Sequence, residues 1–296
     1  MNVFFQIMQN VLAEGLTYGV MALGVYITYK VLDFPDLSVD GSFPLGCCVT
    51  AMLLLLGVPP VVALQCAFVA GCLAGCVTGL LHVKLGISDL LSGIIVMTAL
   101  WTVNLVITNG SAVITFFQTE TIFPITQQHI VLFMLFGIAV ALKLVLDFFF
   151  RTKAGMLLKA TGDNAGFVTG LGRDPGKMKI LGLALGNGFT ALSGSLLSQQ
   201  TGTANINSGT GMVVMALAAV IIGSSLFGKL RFVRATTAVV LGMVIYRGCL
   251  AFALQLELFP PNYLKLLMSV IFTLALVLSK RRTRVRKETY PIASKL

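Results

Sequence analysis

The sequence contains six cysteines and two histidines, side chains that commonly bind zinc and other transition metals. All six cysteines, at positions 47, 48, 66, 72, 76 and 249, lie inside apolar runs and form no CxxC pair. His82 and His129 stand alone near the ends of such runs. Because structural metal sites need several ligands at short fixed spacings, we expect no metal site. The thiols are interpreted as small apolar side chains.

Motifs for nucleotide binding and catalysis are absent from the sequence. No phosphate-binding loop of the form G-x-x-x-x-G-K-[ST] occurs. The pairs Gly176-Lys177 and Gly228-Lys229 precede Met and Leu and lack the upstream glycine. The sequence also has no HExxH motif, no Ser/His/Asp set and no carboxylates at catalytic spacing. We expect a protein that is not an enzyme and binds no cofactor of its own.

The elements that carry these residues are apolar segments long enough to cross a membrane. The 296 residues are 57% hydrophobic and 11% charged, far from the composition of soluble domains. A spanning helix needs about 20 apolar residues. We predict an all-α integral membrane protein with about nine transmembrane segments, near 9–29, 37–57, 60–83, 87–109, 129–150, 178–199, 211–228, 232–254 and 262–280.

One of these segments is interrupted. The stretch "VLDFPDLSVDGSFPLGCCVTAMLLLLG", residues 31–57, begins with three aspartates and a proline before it becomes apolar. Polar, irregular backbone at membrane depth is tolerated only where protein or a water-filled cavity surrounds it. We predict a discontinuous or re-entrant helix here, with Asp33 and Asp36 at the cytoplasmic surface close to Lys30.

Lysine and arginine are distributed unevenly among the loops. Six lie in 151–179, three in 229–234 and seven from position 280 onward, whereas 110–128, 200–210 and 255–261 contain none. Because basic loops stay in the cytoplasm, we predict an outer N-terminus and a cytoplasmic C-terminus. The net charge of +10 then reflects topology and not nucleic-acid binding. We assign residues 1–280 to one membrane domain and 281–296 to a basic cytoplasmic tail.

The longest polar stretch between the predicted spans is "KATGDNAGFVTGLGRDPGK", residues 159–177. Thr161 or Asp163 can cap a helix start, and Gly170 and Gly172 can end the helix. We predict a short cytoplasmic helix within about 159–172. It is either a solvated connector or a docking element whose small residues allow close approach to a partner.

Two parts of the sequence resemble the permease subunit of ABC importers of the branched-chain amino acid and ribose type. One is "AGMLLKATGDNAGFVTGLG" followed by "GLALGNGFTALSGSLLSQQTGTANINSGTGMVVMALAAVIIGSSLFG", and the other is "EGLTYGVMALGVYITYKVLDFPDLSVDGSFPLG". Within the latter, "LDFPDLSVDGSF" is similar to the branch paired with tryptophan- or tyrosine-type binding lipoproteins. The resemblance implies that Ala160, Gly162, Asp163, Asn164 and Gly172 form the helix that couples to the ATPase, although "AGFVTGL" replaces the family's usual charged residues.

The resemblance also implies the partners and the location. It implies a homodimer in a bacterial cytoplasmic membrane, with cytoplasmic ATP-binding subunits that hold ATP and Mg, and an extracytoplasmic solute-binding lipoprotein. The expected substrate is a small, partly apolar amino acid, aromatic ones included; a sugar or nucleoside stays open. The alternative is a secondary transporter driven by an ion gradient, which should carry a network of deep charges.

Polar residues inside the predicted spans are candidates to line a path for the substrate. Asp40 and Ser42 either line this path or cap the half-helix that follows the break. The full set of candidates is Asp40, Ser42, Ser92, Asn104, Asn187 and Asn207.

Glu14 and Arg247 are the two deep charges. They lie about five and seven residues from the outer ends of their predicted spans, so their depths are similar. Because an isolated charge at that depth is unfavourable, we predict an ion pair within one subunit or across a dimer. The alternative is that each side chain reaches the headgroups separately.

Overall fold

A computed structural model describes residues 2–117, 119–123, 128–228, 230, 233–255 and 266–277. The described helices are α1 (Asn2–Val25), a π-helix (Tyr26–Val31), α2 (Val39–Leu55), α3 (Pro60–Leu85), α4 (Asp89–Ile107), α5 (Gln128–Phe149), α6 (Lys153–Asp163), α7 (Ala165–Gly170), α8 (Pro175–Thr201), a 3-10 turn (Ile206–Gly209), α9 (Met212–Phe227), α10 (Ala235–Gln255) and α11 (Leu266–Val277). Strands β1 (Val113–Thr115) and β2 (Thr203–Asn205) pair antiparallel. The predicted tail, 281–296, lies outside the described residues.

The predicted all-α membrane fold is confirmed. Seven of the predicted segments coincide with helices long and apolar enough to cross a membrane. The other two coincide with the shorter apolar helices α2 and α11.

Local sequence explains the helix boundaries. Helix α8 begins where the Asp174 side chain accepts a hydrogen bond from the Gly176 N–H, with Pro175 at the first helical position. It ends at Gly202, which adopts a left-handed conformation with φ of 64°.

The predicted interruption of the second segment is present. The π-helix ends at Val31, residues 33–37 are not helical, and α2 begins at Val39. Asp33 has a φ of 55°, so the chain reverses there in a left-handed conformation. We call residues 32–38 the linker.

Helix α8 is the centre of the fold and contacts α1, α2 and α3. Three glycines spaced by four residues on α3, Gly71, Gly75 and Gly79, face it. A side chain at Gly75 would overlap the Leu183 carbonyl, so the two backbones touch. Small residues permit this approach in a membrane protein, where packing drives helix association.

A second interruption lies before α9. After β2 the chain makes the 3-10 turn and then runs along the first turns of α2. A side chain at Gly209 would overlap the Asp40 carbonyl oxygen and approach Pro44 Cδ to 2.7 Å. The starts of α2 and α9 therefore lie side by side.

The prediction of a single helix within 159–172 is wrong, because parts of two helices lie in this range. Helix α6 continues to Asp163, and α7 begins after Asn164. The cap of α7 is neither Thr161 nor Asp163: Asn164 Oδ1 accepts a hydrogen bond from the Phe167 N–H at 3.2 Å. The extended backbone of Asn164 breaks the helix there.

Candidate functional site

A fully hydrogen-bonded polar network occupies the junction of the linker, α2 and α8. Asn187 on α8 donates from Nδ2 to the Asp36 carboxylate at 2.7 Å. Its Oδ1 accepts from the hydroxyls of Ser42 at 2.6 Å and Ser38 at 3.0 Å. Ser38 also donates its N–H to Asp36 Oδ1, and its single hydroxyl proton is shared between Asp36 Oδ1 at 2.6 Å and Asn187 Oδ1. The four side chains are buried, so these bonds fix the linker against α8.

The predicted surface position of Asp36 is wrong. Asp33 is exposed, but Asp36 is buried, because the chain turns back into the protein after Asp33. The sequence favoured the cytoplasmic surface over a place in the path for both Asp33 and Asp36, and the burial of Asp36 contradicts that assignment for Asp36 alone. The signal available in the sequence was the D-x-S spacing of an Asx turn, in which the carboxylate bonds the backbone two residues on.

Asp40 caps a helix, although not the helix on which it lies. Its carboxylate oxygens accept hydrogen bonds from the N–H groups of Gly211 at 3.0 Å and Val213 at 2.8 Å. These are free donors at the start of α9, where negative charge is favourable. Asp40 therefore joins the two interrupted segments.

Beside this cap lies an open cavity of about 270 Å³ between α2, α4 and residues 206–210. It brings three predicted path residues together: Asp40, Asn104 and Asn207. Its other lining residues are Gly41, Pro44, Met97, Thr98, Trp101, Ile206 and Thr210.

Asn104 is completely buried in the wall of this cavity. Its Nδ2 donates to the Gly41 carbonyl at 3.3 Å. Among the residues that the structure describes, its Oδ1 has no hydrogen-bond partner. A buried acceptor without a donor is unfavourable by about 1–3 kcal/mol.

The structure does not bring the other candidates to the cavity. Ser42 and Asn187 belong to the buried network, and the Ser92 hydroxyl donates to the Asp89 carbonyl of its own helix at 2.8 Å. Trp101 lines the cavity and was not predicted. The feature of the sequence that could have identified it is that it is the sole tryptophan.

The predicted coupling residues lie at the surface end of α6 and α7. Asp163 and Asn164 are exposed, Ala160 is half-buried, and Gly172 has a φ of 69°, which favours glycine. Gly162 differs from the expectation, because a side chain there would overlap the Val31 carbonyl oxygen of the same chain. Its small size serves a contact inside the subunit.

Exposed apolar side chains accompany these residues. Phe167 is 58% exposed and Leu171 is 55% exposed, while Val168 between them is buried. Neither exposed residue was predicted as part of a site. Large apolar side chains that flank a polar loop are typical of a protein contact surface.

Two ionic contacts tie α10 to the rest of the bundle. Arg247 donates a hydrogen bond to the Glu14 carboxylate on α1, so the predicted partners lie in contact within one chain. The Asp147 carboxylate on α5 accepts from Arg234 at 2.9 Å, Thr236 at 2.6 Å and Lys143 at 2.8 Å. The Lys143–Asp147 spacing of four residues was readable from the sequence.

Comparison with known proteins places this arrangement in context. A family model described as the permease component of the branched-chain amino acid transport system matches residues 7–276. The chain is 41% identical to the "Tyrosine transport system permease protein" of Clostridioides difficile (strain R20291), over 97% of this chain and 96% of that protein. It is 27% identical to the "Ribose import permease protein RbsC" of Escherichia coli (strain K12), over 73% and 68% of the two chains.

A solved structure, PsaBC from Streptococcus pneumoniae in complex with Fab, is also similar. Its TM-score is 0.43 at 17% identity, and the match covers 88% of this chain and 95% of that one.

Proposed function

Because the chain belongs to the family of branched-chain amino acid transport system permease components, we propose that it is the membrane subunit of an ATP-driven ABC importer for an aromatic amino acid. The observation that carries the proposal is the 41% identity to a tyrosine transport permease along nearly the whole of both chains. A cavity that combines Asp40, Asn104 and Trp101 supports this substrate class, since it offers polar acceptors beside an aromatic ring.

The proposed path runs through this cavity. Discontinuous helices that meet within a membrane protein are frequent at transporter binding sites, because their ends expose backbone groups. Here the starts of α2 and α9 meet, and Asp40 connects them. Opening the path on one side would require these two starts to shift relative to α4.

A short chain of contacts links the cavity to the predicted coupling helix. Gly162 on α6 touches the Val31 carbonyl, the last residue of the π-helix. The linker follows directly, and its Asp36 and Ser38 bind Asn187. Asp40 lies nine residues beyond Val31. A displacement of α7 and α6 would therefore reach the cavity through a single stretch of backbone.

The partners proposed are those of an importer without its own ATP site. Two cytoplasmic ATPases would hold ATP and Mg and dock on α7, with Phe167 and Leu171 entering a groove. A second copy of the chain would complete the path, and a lipoprotein would deliver the substrate to the outer loops. In this arrangement the N-terminus is outside the cytoplasmic membrane and the C-terminus is inside.

Uptake by intact cells tests the function with the native partners in place. We expect a strain that lacks the chain to lose high-affinity uptake of labelled tyrosine, and a plasmid copy to restore it. Unlabelled tryptophan should compete, whereas leucine and ribose should not. Intact tyrosine uptake combined with lost ribose uptake would contradict the proposal and favour a sugar importer.

The energy source separates the proposal from the alternative of an ion-driven carrier. Uptake should survive collapse of the proton and sodium gradients as long as cellular ATP is maintained. Loss of uptake with the gradients alone would favour a secondary transporter.

A further inference from the structure

The lining of the cavity beside Asp40 includes acceptors that can take a further hydrogen bond. The Asp40 carboxylate has about four lone-pair sites, and the backbone N–H groups of Gly211, Met212 and Val213 at the start of α9 converge on it without filling all of them. Asn104 Oδ1 has no donor among the described residues.

The orientation of the Asn104 amide is fixed by its surroundings. Its Nδ2 donates to the Gly41 carbonyl, one residue from Asp40. Rotating the amide by half a turn would place Oδ1 against that carbonyl and replace an attraction with a repulsion. The unpartnered acceptor is therefore Oδ1, which is buried with the rest of Asn104 directly behind the cavity surface.

These acceptors select a ligand group with several N–H donors and a positive charge. An ammonium group has three donors and no acceptor. It would supply the missing donor to Asn104 Oδ1 and balance the charge of Asp40, which makes such hydrogen bonds stronger than neutral ones. A carboxylate or a sugar hydroxyl would not match this combination.

The remaining lining limits the size and character of the ligand. The volume of about 270 Å³ suits one small metabolite, because pockets that bind drug-sized ligands measure about 300–1,000 Å³. Met97, Trp101 and Ile206 give the cavity an apolar side. Trp101 lines the cavity and is 52% exposed.

We propose that this cavity is a substrate subsite that binds the ammonium group of the transported amino acid. Asn104 Oδ1 and the Asp40 carboxylate accept its hydrogen bonds, and the Trp101 ring contacts the substrate side chain. The inference rests on the proposed function, since it takes an amino acid as the substrate.

Trp101 provides a direct measurement, because it is the single tryptophan of the chain. The full-length permease in lipid nanodiscs would be titrated with L-tyrosine, tyramine and 3-(4-hydroxyphenyl)propionate while tryptophan emission is recorded. Tyramine keeps the ammonium and lacks the carboxylate, whereas the acid keeps the ring and the carboxylate and lacks the ammonium. We expect a saturable change with L-tyrosine and tyramine, and at least about tenfold weaker binding of the acid.

Two variants locate the recognition. Asn104→Leu should weaken L-tyrosine binding about tenfold, because a charge-assisted hydrogen bond is lost. Thr108→Val is the matched control: Thr108 is buried one turn beyond Asn104, just past the end of α4, and its hydroxyl donates to the Asn104 and Leu105 carbonyls. It should leave the titration unchanged. If Asn104→Leu does not fold, the three probes on the unaltered chain decide the matter.

The outcomes separate this inference from the proposed function. Equal binding of the acid and tyramine, or no emission change with any probe, overturns the subsite even when cells take up tyrosine. A folded Asn104→Leu variant with normal L-tyrosine affinity also overturns it. Conversely, ammonium-dependent binding in a protein whose deletion leaves tyrosine uptake intact supports the subsite and contradicts the transport assignment.

Discussion

Arg247 on α10 donates a hydrogen bond to the carboxylate of Glu14 on α1. Its guanidinium also lies over the Tyr18 ring, 4.6 Å from the ring centroid. The Arg247 side chain is 14% exposed, whereas that of Glu14 is 43% exposed. Without the contact, the Arg247 charge would therefore be less hydrated than the Glu14 charge. This ion pair joins α1 to α10 within one subunit.

The first prediction concerns this pair. Glu14→Ala and Arg247→Ala should each lower the stability of the detergent-purified protein by about 1–3 kcal/mol, because each leaves a partly buried charge unpaired. Thermal unfolding of both variants, the double alanine variant and the exchange of the two charges would measure the coupling. Additive alanine effects and no recovery in the exchange would show that the residues do not interact.

The second prediction concerns the linker. Both Asp36 oxygens accept hydrogen bonds, from Ser38 and from Asn187. Asp36→Asn should therefore destabilise the protein by about 1–3 kcal/mol, since either amide orientation places an NH₂ group against a donor. Asp33→Asn is the matched control, because Asp33 is exposed and asparagine tolerates its φ of 55°. Equal thermal stability of the two variants would contradict the network.

The third prediction concerns the contact between α6 and the π-helix. Gly162→Ala should reduce stability and tyrosine uptake, because the new Cβ overlaps the Val31 carbonyl oxygen and backbone must move. Gly170→Ala should fold and transport as the unaltered chain does, since nothing lies within 4 Å of a Cβ at that position. If both variants behave alike in unfolding and uptake assays, the contact does not transmit motion.

The fourth prediction concerns ATPase docking. Phe167→Ser should abolish co-purification of the ATPase from native membranes without changing the permease's thermal stability, because the side chain is exposed in the isolated chain. Leu85→Ser is the control: Leu85 is 68% exposed at the end of α3, outside α6 and α7. Recovery of ATPase with Phe167→Ser would place the docking surface elsewhere.

The fifth prediction concerns pairing of two copies. Residues of α4 line the cavity, and α4 exposes Ile95 and Trp101, so a path between subunits needs these faces to meet. In a background without cysteines, Ile95→Cys on α4 should cross-link to its copy, because an isologous interface brings the same residue together twice. Phe133→Cys on α5, 77% exposed, should not. Cross-linking of the α5 variant alone would contradict the prediction and place α5 at the interface between the two copies.

Sequence patterns predicted what depends on local composition. Apolar length indicated the helices, and the aspartates and proline of residues 33–40 indicated the break before α2. The same patterns did not identify the partners of those residues. Asp40 binds N–H groups more than 170 positions away, at the start of α9. Such pairing depends on how interrupted segments pack, which hydrophobic periodicity does not encode.

The misplacement of Asp36 has the same origin. Its distance along the chain from Lys30 favoured the surface, but the left-handed turn at Asp33 redirects the linker toward Asn187. Gly162 was expected to serve a partner protein, and the structure assigns its small size to Val31. In both cases the residue type indicated a close contact, but the sequence did not predict which residue would be the partner.

The π-helix between α1 and the linker has a mechanical consequence. In this wide helix the Leu32 N–H bonds to the Ile27 carbonyl at 3.0 Å, five residues back. Converting one such turn to α-helical bonding would release a whole residue, about 1.5 Å of rise, into the chain beyond it. Because Val31 touches α6 and the linker continues to Asp40, such a change of register would shift the linker relative to α6. A one-residue change of register in the π-helix would then connect movement of α6 at the cytoplasmic side to the position of Asp40 beside the cavity.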